Sequence, residues 1–558
     1  MSEANGEQVT DIVFLATAWG PRSGGINAFN IDLCTALAGL ARSEQGRALR
    51  VACIVPSAPW GNDERLLDGA LVIPLGHSPE LTELPVAHTA EVIAQLDRHG
   101  LAGSVIVGHD LHTGPVALAV RDALRARSIM GSRAAIVVHT DPAAYKGFEG
   151  GSDERTQVKV NEQREIVRGA DLVFAVGPRL ANVARDLLRG LSTHPVELIP
   201  GLAPIEPIQE PSMRFHAITF GRLEPRADRV KQGRLALAGF ANLVGPRATD
   251  LGHDPVFRLV GVEEREASQF ATLASEQAGR PIMVYALPFN DDRTHLWKQL
   301  SEHSASLMLS LHEGFGLTGW EAVAAGVPLV LSTNTGLYDH LESHDALGRK
   351  ATGCVYPVTI QGSLNGDFDQ RDIELIGAAL ADVARNPTKA KKGALDLRRM
   401  CLDAGFTWAS TAYEFAEGCG LRLGNPRGVP THETDRAPYQ HRDSTSEGND
   451  ALEEPQTAIE ATSLYSRSTA TTSQLPMPLI HCLAENYPDV TTARELWRRA
   501  GGSAREVENL SRPVDLWQRL WQLSVAGAPV RPVALLRAAL EDLPNNEILL
   551  TALQEVIS

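Results

Sequence analysis

Residues 307–332 read LMLSLHEGFGLTGWEAVAAGVPLVLS. The apolar run Leu307–Leu311 predicts a buried parallel strand, and His312-Glu313-Gly314-Phe315-Gly316 a short turn. A helix should start near Thr318 and stop at Gly326-Val327-Pro328, with a second apolar strand at Leu329–Leu331. In such a strand–loop–helix–strand unit the loop and the helix start lie at the carboxyl end of the sheet, where open α/β folds bind ligands. The first helical N–H groups, at Gly316, Leu317 and Thr318, would face an anion such as a diphosphate. Glu313 and Glu321 stand eight positions apart, one in the loop and one in the early helix. Carboxylates beside a phosphate site would not bind the phosphate, but they can accept hydrogen bonds from sugar hydroxyls. Thr318-x-x-Glu321 also fits a capping box, in which Glu321 would serve only its own helix.

Outward from this unit the chain keeps a βα rhythm. A first strand, Ile12–Ala16, leads through Trp19 to Gly24-Gly25 and an apolar-periodic helix from Ile26 to Leu40. Glycines there let backbone approach a ligand at a helix N-terminus. Strands follow at Arg50–Val55, Ala70–Ile73, Ser104–Val107 and Ala134–Val138, then Asp171–Val176 and Val196–Pro200. His109 and His112 come after one strand and His139 after the next. A histidine at such a place is either a ligand contact or a cap or core residue bonded to backbone. A second half opens with His216–Phe220, then Gly221-Arg222-Leu223 and Lys231-Gln232-Gly233. Arg222 can grip a phosphate bidentately and Lys231 as a point charge, unless this loop, with Arg226 and Arg229, is simply solvated. Val256–Val260 and Ile282–Leu287 continue the second half.

Glu313-x7-Glu321, Gly24-Gly25, His139 and the Arg222/Lys231 pair, in this order along residues 11–420, resemble the retaining GT-B glycosyltransferases of family 4, the glycogen-synthase-like group 1. The resemblance implies two Rossmann-like α/β domains facing a cleft. Residues 9–203 would form the acceptor side and 204–420 the nucleotide-sugar side, the last helix (from Trp408) crossing back to the first half. It also implies roles. Gly24, Gly25, Arg222, Lys231 and the Gly316–Thr318 helix start would face the donor diphosphate, and Glu321 would hold the ribose. Glu313 and His139 would lie at the sugar, and backbone near Leu287 at the base. Ile199-Pro200-Gly201 lacks the Asn that the family usually carries in this turn. The donor would be a UDP-, GDP- or ADP-sugar, with no metal or other cofactor required. Asp367-Phe368-Asp369 resembles the metal-binding triplet of the other glycosyltransferase fold, but in a Gly/Asn loop it reads as a turn and helix cap.

At 558 residues the chain has room for about three domains, and 43% hydrophobic residues supply their cores. A net charge of −16 argues against a general nucleic-acid or anionic-membrane binder. Six scattered cysteines without a C-x-x-C pair fit a reducing compartment. With no leader profile in MSEANGEQVTD and no apolar run of spanning length, a cytoplasmic protein without a membrane span is expected.

Residues 421–474 turn polar and rich in Pro, Ser and Thr, the composition of a disordered linker. From 475 to 558 helical periodicity returns, with Trp497, Trp517 and Trp521 among the chain's eight tryptophans. Tyr487-Pro488-Asp489, Ala493-Arg494, Trp517 and Leu543-Pro544-x-Asn546 resemble the small helical effector-associated domain of bacterial conflict systems. That resemblance implies a protein partner carrying a like domain, or homo-oligomers, and a role in anti-phage defence. The functional expectation is a retaining hexosyltransferase with an unknown acceptor. The alternative is a non-catalytic nucleotide-sugar sensor or scaffold that signals through the C-terminal domain.

Overall fold

The computed structural model describes residues 10–20, 24–43, 49–77, 83–144, 153–212, 214–221, 223, 225–245, 255–263, 266–290, 292–363, 367–421, 477–488, 490–500, 502, 507, 513–525, 530–543 and 546–557. The chain divides into two compact units, Met1–Ala437 and Pro438–Ser558.

Among the described residues the first unit holds two sheets. Strands β1 (Thr10–Leu15), β2 (Leu49–Val55), β3 (Arg65–Leu67), β4 (Ala70–Pro74), β5 (Val105–His109), β6 (Arg133–Val138), β7 (Leu172–Val176) and β8 (Val196–Leu198) form the first. Among the described residues its order is β3-β4-β2-β1-β5-β6-β7-β8, parallel except for the β3–β4 pair. Strands β9 (His216–Phe220), β10 (Val256–Val260), β11 (Met283–Leu287), β12 (Ala305–Met308), β13 (Leu329–Ser332) and β14 (Tyr356–Val358) form the second, in the order β11-β10-β9-β12-β13-β14, all parallel. Runs such as Ile12–Leu15 and Val105–Val107 are buried along their whole length, as parallel strands covered by helices on both faces must be. Each sheet reverses its winding once, between β1 and β5 and between β9 and β12. Clefts for ligands open at such points.

Two predicted strands end two or more residues early, each for a visible reason. The run expected to reach Leu311 leaves the ladder after Met308; Leu309 and Leu311 stay buried, and the Leu311 N–H donates to the Val230 carbonyl at 2.8 Å. The strand expected to reach Pro200 stops at Leu198, because the next two carbonyls are taken from outside the sheet. Ile199 O accepts from Thr411 Oγ1 at 2.6 Å and Pro200 O from Trp320 Nε1 at 2.8 Å. The helix Trp408–Gly418 returns to the first sheet: Phe415 stacks on Phe14 and Phe174, with ring centroids 5.7 and 4.4 Å away. Asp369 caps the helix Gln370–Arg385 by accepting from the Arg371 N–H at 2.8 Å, the role expected of it.

In the second unit the described helices are Met477–Asn486, Val490–Arg499, Pro513–Val525, Pro532–Asp542 and Glu547–Ile557. Their apolar stripes meet around Trp497 and Trp517, both fully buried. The Trp517 indole donates to Tyr487 O at 2.9 Å, and the Tyr487 hydroxyl to Asp542 at 2.7 Å. The tryptophans are core. Most of the expected linker, residues 422–474, and parts of the effector-domain motif (Asp489 and Pro544) lie outside the described residues. Among the described residues no helix is long and apolar enough to cross a membrane.

Candidate active site

The carboxyl ends of both sheets border one cleft of ≈ 1220 Å³. From the first sheet come the Gly24-Gly25 loop after β1 and His139 after β6; from the second come Lys231, Glu313 and the helix start at Gly316–Thr318. Elements more than 200 positions apart in sequence thus share one wall. The two helix starts approach closely enough that a Cβ added to Gly25 would stand 3.2 Å from Leu317 Cδ1.

The helix after β12 begins at Leu317, one residue before the predicted start, and Gly316 is its N-cap at φ 117°. A side chain at Gly316 would be strained and would also run into the Met308 thioether, so the turn requires glycine. With Gly316 as cap, Thr318 is already helical and the capping-box reading of Glu321 fails. Glu321 instead accepts from Trp297 Nε1 at 3.0 Å and from Arg293 at 3.5 Å. Burial pushes its carboxyl up, opposed by the Arg293 charge and the indole bond. Arg293 lies over the Trp297 ring, 4.6 Å from its centroid, and its two Nη atoms grip Asp32 on the helix Gly25–Ser43 at 2.9 and 3.0 Å. Lys231 Nζ donates to Glu313 Oε2, which also accepts from Ser310 Oγ at 3.2 Å. A cation poised on a movable carboxylate partner can be handed to an incoming anion.

Asp110 holds His139 in place. Its carboxylate accepts from the backbone N–H of His139 at 3.2 Å and of Thr140 at 2.9 Å, from the Thr140 hydroxyl at 2.7 Å and from Gln163 at 2.8 Å. Asp110 itself has φ 46°, a left-handed backbone uncommon outside glycine and the kind of strain that collects at functional sites. His109 is no direct contact. It is buried between His139 Nε2 and Asn30 Oδ1, each 2.9 Å away. Since Asn30 Oδ1 only accepts, His109 donates from Nε2 and accepts at Nδ1, so His139 donates from Nε2 and keeps its Nδ1 lone pair. Burial pushes His109 down to about 3 and His139 well below the usual imidazole range, aided by neighbouring histidine charge. Both rings are neutral at pH 7.

A family model for the family 4 glycosyltransferases in conflict systems matches residues 13–415. The chain belongs to that family. No curated protein matches the sequence. Among solved structures, this glycosyltransferase is similar to the sucrose-phosphate synthase of Thermosynechococcus elongatus, at TM-score 0.53 and 17% identity over 73% of this chain and 98% of that one. It is also similar to the UDP-forming trehalose-phosphate synthase of Burkholderia xenovorans in complex with glucose-6-phosphate, at TM-score 0.50 and 14% identity over 73% and 100% of the two chains. The E. coli trehalose-6-phosphate structure bound with UDP-2-fluoro glucose matches at TM-score 0.50 and 12% identity, over 74% and 100%. At these identities the likeness is one of fold, and that fold is GT-B.

Of the residues singled out from sequence, Gly24, Gly25, His112, His139, Lys231, Glu313, Gly316, Leu317, Thr318 and Glu321 line the glycosyltransferase's cleft. Arg222 lies outside the described residues. Leu287 does not line the cleft, and its carbonyl accepts from Gly261 and Val262 at 2.8 and 3.1 Å. Phe289 and Asn290, two and three residues on, reach the cleft instead. Sequence reasoning missed Asp32, Arg293 and Trp297. Arg293 directly follows the helix-capping Asp292, which marked a helix start at a strand's carboxyl end.

Proposed function

We propose that the cleft binds a nucleoside diphosphate sugar and transfers its hexose, with retention, to an acceptor entering from the 9–203 side. The observation that carries this reading is the meeting of Lys231, Glu313, Glu321, His139 and two backbone N-terminal loops around one cavity. Lys231 and Arg222 would take the diphosphate, with Gly24, Gly25 and the helix start at Gly316, Leu317 and Thr318 supplying N–H donors. They would offset the charge that develops as the nucleoside diphosphate leaves, the largest electrostatic demand of the reaction. Glu321 would exchange its Trp297 and Arg293 contacts for the ribose hydroxyls. Glu313, released by Lys231, and neutral His139 would bind the sugar. The bound UDP-2-fluoro glucose of one solved relative in fold supports a nucleotide sugar as the donor class.

The family's membership in conflict systems supports an effector role in the cytosol. In it, residues 475–558 would recruit the enzyme (9–203 and 204–420) to a partner with a like domain, through the 421–474 tether. A tether raises the local concentration of the enzyme at its target. The test is release of nucleoside diphosphate and labelling of acceptors in bacterial lysate by the full chain and by Lys231→Ala. Transfer by the first and not the second supports the reading; equal labelling by both, or by neither across UDP-, GDP- and ADP-sugars, contradicts it.

A further inference from the structure

His77, His88 and Glu91 form a cluster that the cleft chemistry does not use. His77 follows β4, where its backbone N–H donates to Pro56 O at 3.0 Å. His88 closes the single turn Val86–His88, its N–H on Pro85 O at 3.0 Å. Glu91 stands in the first turn of the helix Thr89–Arg98, three residues on and so on the same face. Both histidines therefore sit on backbone held by main-chain hydrogen bonds, and the glutamate on a helix. His77 Nε2 is 2.8 Å from Glu91 Oε2, and His88 Nδ1 is 3.2 Å from Glu91 Oε1. The two imidazoles meet edge-on, 4.4 Å between centroids, and one ligand atom from each of the three residues lies within 4.8 Å of the others.

We infer that His77, His88 and Glu91 bind one divalent transition-metal ion of the zinc class. Two imidazoles and a carboxylate are a donor set such ions take, and three protein ligands leave a fourth position for water. A tetrahedral ion about 2.0–2.1 Å from each ligand atom holds those atoms roughly 3.3 Å apart. The observed spacings need only rotamer-scale adjustment to reach that. The side chains are reachable from solvent, 24%, 19% and 50% exposed, so an ion can enter. The site has a structural consequence. His77 and His88 bracket Glu83, Leu84 and Pro85, which line the cleft beside Val86. An ion held by both histidines pins this rim of the first domain.

The test is titration of metal-stripped full-length protein with Co²⁺ and then Zn²⁺, followed by calorimetry, visible absorption and hydrogen exchange. One ion per chain is expected, with a visible Co²⁺ band that Zn²⁺ displaces. Affinity should fall by about 100-fold or more in His77→Ala and in His88→Ala. Glu91→Gln keeps the side chain's shape and should also lose the band, so it reads the site should either histidine variant fold poorly. Metal should slow amide exchange across 83–91 in the wild type alone. Absence of a one-to-one ion, or an ion bound equally well by all variants, overturns the site and leaves a carboxylate bridging two imidazoles. Tight binding without slowed exchange overturns the pinning of the rim.

Discussion

Arg293 and Asp32 join the two faces of the cleft: both guanidinium Nη atoms donate to the two carboxylate oxygens, at 2.9 and 3.0 Å. Each side chain is only 19% exposed, so removing Arg293 takes from Asp32 its cation, and removing Asp32 leaves Arg293 only its longer 3.5 Å contact with Glu321. Asp32→Asn is expected to loosen the closed arrangement, read as a larger radius of gyration by small-angle scattering. A double-mutant cycle with Arg293→Met should give a coupling of about 1.5–3 kcal/mol in unfolding free energy. A coupling near zero would mean that the pair does not hold the faces together.

Lys231→Ala removes the cation facing the expected diphosphate, and His139→Ala the ring that Asp110 and His109 orient. Each should lower kcat for nucleoside diphosphate release by about 10²- to 10³-fold, the usual cost of losing one preorganised electrostatic contact. His109→Asn, which acts only through His139, should lower it less. Steady-state kinetics on the three variants checks the ordering.

Acid should destabilise the first unit. Burial holds His109 at about 3, His303 at about 4 and His340 at about 3 in the folded chain. Below pH 6.5 the unfolded chain takes up protons that these folded rings refuse, so stability is full above that pH and falls as pH drops. The three rings together remove about 3–4 kcal/mol between pH 7 and 5.5. Denaturant titrations at the two pH values measure the loss.

Glu414 opposes this trend. On the returning helix, burial and then the charges of Glu197 and Glu417 raise it to about 7. Its folded form binds a proton more readily than the unfolded chain between pH 4.5 and 7, so its contribution is favourable at low pH and lost as pH rises through 7. Glu414→Gln should therefore stabilise the protein by about 3 kcal/mol at pH 8, with the gain shrinking as pH falls and gone below about pH 4. The variant's stability should also fall more steeply with acid than the wild type's.

The alternation of strands and helices was legible because parallel strands covered on both faces read as unbroken Ile, Val and Leu runs. Where the chain departs from that pattern the sequence was silent: β3 and β14 are three-residue strands, too short for any periodicity. Glu313 and His139 could be singled out because each lies within a few residues of a strand's carboxyl end, and Lys231 and Glu321, on the helices that follow, because their spacing resembles the family's motifs. Asp32 and Arg293 could not, since their pairing spans 261 positions and nothing local to either residue announces it. Glu321 shows the limit from the other side. Its spacing from Thr318 fits a cap, and only the Gly316 turn and the facing Trp297 indole decide against that role.

The most direct test of the nucleotide-sugar site is a thermal-shift panel of UDP-, GDP- and ADP-sugars on the wild type and Glu321→Ala, since a ligand that binds the native state raises its melting point. One donor at about 100 times its Kd should stabilise the wild type by about 2.7 kcal/mol, and Glu321→Ala should lose that shift. Equal shifts in both proteins, or none with any donor, would contradict that site.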